Sequence, residues 1–192
     1  MASNKSRSSS MIGNKLIHII VAIDDNGGIG KDGKLLFHNK EDLRQFKEKT
    51  MGHAVVMGKN TFESLPSGPL EGRTNIVLTD GGDIPGCFCK GSMKELVEFI
   101  EQRSDNNIYI IGGASVYSQF LEYADIIHLT RFHTTKEADT FLPYSKLVEG
   151  FDLFYKSDLH KDKDGIKYEF ETYINRCSNV RSAIINLLTK GR

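Results

Sequence analysis

Leu35-Leu36-Phe37-His38-Asn39-Lys40-Glu41-Asp42-Leu43-Arg44-Gln45-Phe46 reads as a mobile loop running into the first turns of a helix. Asn39 suits the N-cap, with Lys40, Glu41 and Asp42 filling the first turn. At helical spacing Asp42 and Phe46 share a face with Leu43 beside them, while Glu41, Arg44, Gln45 and Glu48 project the other way. Asp42 therefore lies next to the apolar stripe. A carboxyl pressed against apolar side chains keeps its proton more readily and meets a polar ligand edge with little competition from water. An acid three residues after an Asn cap also resembles a capping box and suits the helix dipole. Taken alone, the segment favours that plainer reading, and the rest of the chain must decide.

Upstream, Leu16–Ile23 is an almost unbroken apolar run of strand length, typical of a central strand covered on both faces. Between it and the helix, Asp24 to Gly33 is rich in Gly, Asp and Asn and reads as loop, interrupted by Ile29-Gly30. Residues 1–14 read as a flexible tail, with Lys5, Arg7 and three consecutive serines at Ser8, Ser9 and Ser10. That basic stretch lacks an apolar h-region; a targeting peptide, a tag, or a second start at Met11 all fit it.

Downstream, strands and helices alternate. Strands are expected at 53–57, 74–79, 107–111 and 125–130, and helices after Gly58-Lys59-Asn60-Thr61 through Leu65, from Ser92 to Ile100 with Glu95 closing a capping box, and from Ser115 to about Glu122. Thr134 to Pro143 reads as loop. Residues 151–158 and 168–175 form an antiparallel pair around the turn at 161–165. This order predicts an α/β domain over residues 15–176: a mostly parallel twisted sheet with helices on both faces and an antiparallel C-terminal edge. Residues 177–192 are a C-terminal extension carrying a loose amphipathic turn or two through Val180, Ile184, Leu187 and Leu188, which either packs on the domain or frays.

The charge balance, 25 Lys+Arg against 25 Asp+Glu, argues against a protein that works by gripping nucleic acid or an anionic membrane. No apolar run reaches membrane-spanning length. The cysteines Cys87, Cys89 and Cys177 are odd in number, with no CxxC and no Cys/His metal spacing, so a reducing, cytoplasmic setting without a metal is expected.

Two strand-to-helix junctions carry glycine, after Met57 and after Ile111. Such a junction turns backbone N–H groups toward an anion placed there. Gly58-Lys59-Asn60-Thr61 adds a cation and a hydroxyl, and Gly112-Gly113 offers bare backbone for close approach of a ring or phosphate. Neither is a GxGxxG or Walker motif, and each alone is weak. Two in one small α/β domain point to a cofactor with more than one phosphate across the carboxyl ends of the strands.

The motifs occur in one ordered series: Ile29-Gly30, Asp42-Leu43-x-x-Phe46-Lys47, Met57-Gly58-Lys59-Asn60-Thr61-Phe62-Glu63-Ser64, Pro69-Leu70-x-Gly72-Arg73-x-Asn75, Ile111-Gly112-Gly113-x-x-Val116-Tyr117 and Ala138-Asp139-Thr140-Phe141-Leu142-Pro143. From about Leu16 to Tyr173 the chain resembles the dihydrofolate reductase family. The resemblance implies the family's three-layer sandwich and NADPH-dependent reduction of 7,8-dihydrofolate to tetrahydrofolate by a monomer.

It also implies roles. Asp42 would hydrogen-bond the pterin, with Thr130 holding its carboxyl and Phe37 supplying an aromatic wall. Ile20, Val21 and Ile111 would wall the pterin pocket, Leu43 and Phe46 would pack the pterin and aminobenzoyl rings, and Leu65 and Leu70 would line the outer half. Arg73 would pair with the substrate's α-carboxylate through its guanidinium fork. Ala22, Ile29, Gly30, Gly58, Lys59, Asn60, Thr61, Leu78, Thr79, Asp80, Ile111, Gly112, Gly113, Ala114, Ser115, Val116 and Tyr117 would contact the dinucleotide, and the Gly112–Gly113 bond would be cis.

The chain departs from the family pattern in three places. Leu36-Phe37 stands where the family has Pro-Trp, which removes an indole N–H and loosens the approach to the helix. Thr79-Asp80 stands where a hydroxyl and a serine or arginine grip the 2′-phosphate, and Ser115 replaces a cation after the glycine pair. NADH is therefore expected as a usable cofactor, with NADPH still preferred. Two rival readings are a same-fold reductase of a pyrimidine or pterin precursor, as in riboflavin biosynthesis, and a non-catalytic folate-binding homologue. The first would not need Asp42, Phe46 and Arg73 together.

Overall fold

A computed structural model describes residues 11–179 and 181–190. The basic stretch over residues 1–10 and Val180 lie outside the described residues. The strands are β1 (Leu16–Ile23), β2 (Gly28–Lys31), β3 (Lys34–Leu35), β4 (Ala54–Gly58), β5 (Thr74–Leu78), β6 (Cys87–Lys90), β7 (Asn107–Gly112), β8 (Ile126–Phe132), β9 (Thr140–Phe141), β10 (Phe151–Lys156), β11 (His160–Lys161) and β12 (Lys167–Asn175). The helices are α1 (Lys40–Thr50), α2 (Lys59–Glu63), α3 (Met93–Glu101), α4 (Ala114–Phe120), α5 (Tyr144–Val148) and α6 (Arg181–Lys190).

The main sheet runs β10-β12-β8-β1-β7-β4-β5-β6, with β11 on β12. From β8 through β6 every pairing is parallel, and β12 and β10 close the C-terminal edge antiparallel. The alternation of side chains sorts the strands onto two faces. Ile17, Ile19, Val21 and Ile23 of β1 join Ala54, Val56, Ile108 and Ile110 against Leu96 and Ile100 of α3 and Val116 and Phe120 of α4. Val55, Met57, Val77 and Tyr109 face the other way, toward Phe62 of α2. Helices thus cover both faces in three layers. Phe120 is fully buried, and truncating such a ring to alanine costs about 3–5 kcal/mol.

Three expectations need correction. The glycine-rich segment after β1 is not plain loop, and neither is 134–143: β2 pairs antiparallel with β3 and with β9 in a second, three-stranded sheet. Asp32 (φ 49°) and Gly33 (φ 70°) form the tight turn between β2 and β3, the Asp-Gly geometry of a two-residue hairpin. Second, the expected tail over residues 1–14 joins the fold before its end, because Ile12 is 1% exposed within the main core. Third, the C-terminal stretch forms the full helix α6 rather than a turn or two. Ile184 is buried against Ile126 and Ile174, and Arg176 and Arg181 both reach Asp152.

Candidate active site

Asn39 caps α1, its Oδ1 accepting from the N–H groups of Glu41 (2.9 Å) and Asp42 (3.0 Å). Glu41 turns to Arg44 on the outer face. Asp42 turns inward instead, and its Oδ1 accepts a 2.6 Å hydrogen bond from the Thr130 hydroxyl of β8. Burial raises the Asp42 pKa, and the Thr130 bond works against that rise. The helix start is capped by Asn39, which leaves the Asp42 side chain free to reach the sheet at Thr130.

A cavity of about 670 Å³ opens at the carboxyl ends of β1, β4, β5 and β7. It has the size and placement of a ligand site in an open α/β sheet. Val21, Ala22, Ile29, Gly30, Leu78 and Ile111 line it, with Gly58 through Thr61 on one side and Gly112 through Tyr117 on the other. The N-caps of α2 and α4 are Gly58 and Gly113, neither with a side chain to occupy the first-turn N–H groups. A Cβ on Gly58 would approach Val116 to 3.2 Å, and one on Gly113 would approach Thr61 Oγ1 to 3.2 Å. Bare backbone therefore keeps the two turns close. The Gly112–Gly113 bond is cis. The Tyr117 hydroxyl donates to the Ile20 carbonyl at 2.9 Å, fixing α4 to β1. Burial pushes the Tyr117 pKa up and the nearby Asp42 charge adds to it, so the cavity and the carboxyl are electrostatic neighbours.

Beside this cavity Ile20, Leu65, Leu70, Ile111 and Phe62 pack as one apolar cluster. Leu43 is 43% exposed, and Phe46 is half-buried. Arg73 donates to Thr50 Oγ1 (3.2 Å) and to the Glu71 carbonyl (3.0 Å). Among the described residues no carboxylate lies within ion-pair distance of it. Buried Asn75 holds the loop before Arg73, exchanging hydrogen bonds with both backbone groups of Leu70 and donating to the Arg73 carbonyl.

Phe37 packs against the sheet at the approach to α1. It is 5% exposed and stacks on Phe132 with ring centroids 3.9 Å apart, away from the cavity lining. Leu36 packs in the same cluster, and Lys136 donates to its carbonyl at 3.0 Å, so the approach to α1 is tied down rather than loosened. Thr79 and Asp80 lie outside the cavity. The Thr79 hydroxyl accepts from the Gly81 N–H at 3.0 Å, Lys59 Nζ lies 3.1 Å from where a Gly81 Cβ would stand, and Asp80 is exposed. Residues not foreseen on the lining are Lys31, Gly33, Lys34 and Leu35 of the hairpin, Ser64, and Asp139 and Thr140 near β9. The Asp32-Gly33 pair was the signal for the hairpin.

The residues present suit a nicotinamide dinucleotide: two glycine turns that a Cβ would crowd, a lysine at the outer end, and a carboxyl beside the inner one. A sequence profile described as dihydrofolate reductase matches residues 16–175. A dihydrofolate reductase of Bacillus subtilis (strain 168) is 33% identical, over 85% of this chain and 97% of the relative. One of Haemophilus influenzae is 38% identical, over 73% of this chain and 88% of the relative. A solved dihydrofolate reductase from Enterococcus faecalis, complexed with NADP(H) and RAB-propyl, superposes with TM-score 0.77 at 30% identity, covering 85% of this chain and 98% of that one. With the Asp42–Thr130 pair beside the cavity and the profile spanning the whole sheet, this chain belongs to the dihydrofolate reductase family.

Proposed function

We propose that this protein reduces 7,8-dihydrofolate to 5,6,7,8-tetrahydrofolate with NADPH, supplying folate one-carbon metabolism. The observation that carries the reading is the Asp42 carboxyl, held by Thr130 next to a cavity floored by Gly112 and Gly113. NADPH, when bound, supplies the hydride. The chain's own part is to bind, orient and exclude water. Gly58, Lys59, Asn60 and Thr61 take one phosphate region, and Gly112 to Tyr117 take the inner end. Asp42 hydrogen-bonds the 2-amino edge of the pterin and polarises the ring, while water admitted past the β2–β3 hairpin delivers the proton to N5. Ile20, Leu65, Leu70 and Ile111 keep the ring dry, and Arg73 takes the α-carboxylate.

The enzyme works as a monomer in the cytoplasm in this reading, with the folate domain over residues 15–176 carrying Ile12 and α6 packed onto it. The free thiols of Cys87, Cys89 and Cys177 suit a reducing compartment. Among the described residues no helix is long and apolar enough to cross a membrane. Offering dihydrofolate and a riboflavin-type aminopyrimidine side by side tests the assignment. Dihydrofolate alone should be consumed, one equivalent per NADPH; turnover of the pyrimidine in its place would overturn it.

A further inference from the structure

Asp24 closes β1 and is 1% exposed, yet it has no side-chain partner for its carboxylate among the described residues. Backbone N–H groups take that role. Oδ1 accepts from Asn26 (2.9 Å) and Gly28 (2.7 Å), and Oδ2 accepts from Lys136 (3.0 Å). Gly28 opens β2, whose Ile29, Gly30 and Lys31 line the cavity; Lys136 leads to Asp139, just before β9, and to Thr140 in it, which also line the cavity. One buried carboxylate therefore spans the roots of both strands forming this wall. Packing there is tight enough to transmit a shift, since a Cβ on Gly28 would come within 2.9 Å of both Ala138 Cβ and Leu36 Cδ1.

We infer that Asp24 is a positioning residue for the cofactor: its two oxygens set the β2–β9 wall against the dinucleotide cavity. The inference rests on the NADPH reading above. Asp24 is not on the lining of this cavity and acts through the backbone it holds. Asp24→Asn keeps size and the Oδ1 acceptor but turns an amide N–H₂ toward the Lys136 N–H, so one side of the clamp is lost. Losing a hydrogen bond to a buried charge corresponds to about a tenfold change in an equilibrium.

The test measures NADPH Kd by fluorescence, kcat, dihydrofolate KM and thermal midpoint for the parent and three variants. Asp24→Asn should weaken NADPH binding about tenfold and lower kcat, with dihydrofolate KM within about twofold. Lys136→Pro removes the N–H that Oδ2 accepts, and Lys136→Ala, which keeps it, is the reference for the lost side chain. Lys136→Pro should bind NADPH less tightly than Lys136→Ala, which decides the matter even if Asp24→Asn does not fold. Variants that melt earlier but bind NADPH like the parent, or that lose both ligands equally, overturn the inference. A parent that binds no NADPH contradicts the functional reading instead.

Discussion

The Thr130 hydroxyl donates to Asp42 Oδ1 at 2.6 Å, joining the first turn of α1 to β8. Its removal should move the Asp42 pKa further up, because the bond favours the charged carboxylate against the burial that disfavours it. Thr130→Val should lower kcat about tenfold and shift the carboxyl-dependent limb of the pH–rate profile to higher pH. A profile identical to the parent's would show that the hydroxyl does not tune the carboxyl.

Arg73 is set by Thr50 and Glu71, which accept from its Nη1 and Nε, and by the Asn75-braced loop. Arg73→Leu should raise KM for dihydrofolate strongly and leave kcat within a small factor, the pattern of lost uniform binding. A pterin lacking the glutamate should be almost indifferent to the change. Equal loss with both substrates makes the residue structural.

If Asp80 and Lys59 flank the 2′-phosphate as proposed, cofactor preference should respond to both. Lys59 reaches toward Gly81 and Thr79, while Asp80 is exposed. One opposing charge on a solvated rim is worth roughly 1 kcal/mol, so NADPH should stay preferred over NADH by a reduced margin. Asp80→Arg should widen the ratio of kcat/KM values, and Lys59→Ala should narrow it. An unchanged ratio in Asp80→Arg places the carboxylate in plain solvent.

A buried imidazole pair should make the fold acid-labile. His18 Nδ1 and His128 Nε2 are 3.2 Å apart, and His18 also meets Asn107. Desolvation lowers both pKa values, with Asn107 opposing it at His18 and the Lys49 charge adding to it; His18 falls to about 4. Unfolded imidazoles take up protons near pH 6.5, so falling pH favours the unfolded chain. The stability is complete above that value and drains as pH drops toward 4, by about 1.4 kcal/mol per unit for each proton. Denaturant titrations at pH 7 and 5 should show a smaller difference for His128→Gln than for the parent. Equal differences would remove the pair from the acid response.

The elements most legible in the sequence were those whose signal is local. The apolar run of β1, the Asn39 cap of α1 and the glycine turns at Gly58 and Gly112 each carry their own instruction. What escaped depends on distant partners. The stacking of Phe37 needs Phe132, which comes from a distant strand. β9 has only two residues and becomes a strand by pairing with β2, and Ile12 and Ile184 gain their meaning from the cores they join. Asp42 is the intermediate case: its place in the first helical turn was legible, while the Thr130 hydroxyl that its carboxyl meets comes from a distant strand.

The central claim is that the Asp42 carboxyl serves dihydrofolate reduction by NADPH. Loss of NADPH absorbance on adding dihydrofolate, followed for the parent and for Asp42→Asn, tests it most directly, with melting curves showing that both are folded. The parent should turn over, and Asp42→Asn should be slower at neutral pH by about two to four orders of magnitude, the scale of lost acid–base assistance. A parent that leaves NADPH untouched, or an Asn variant that turns over at the parental rate, would contradict it.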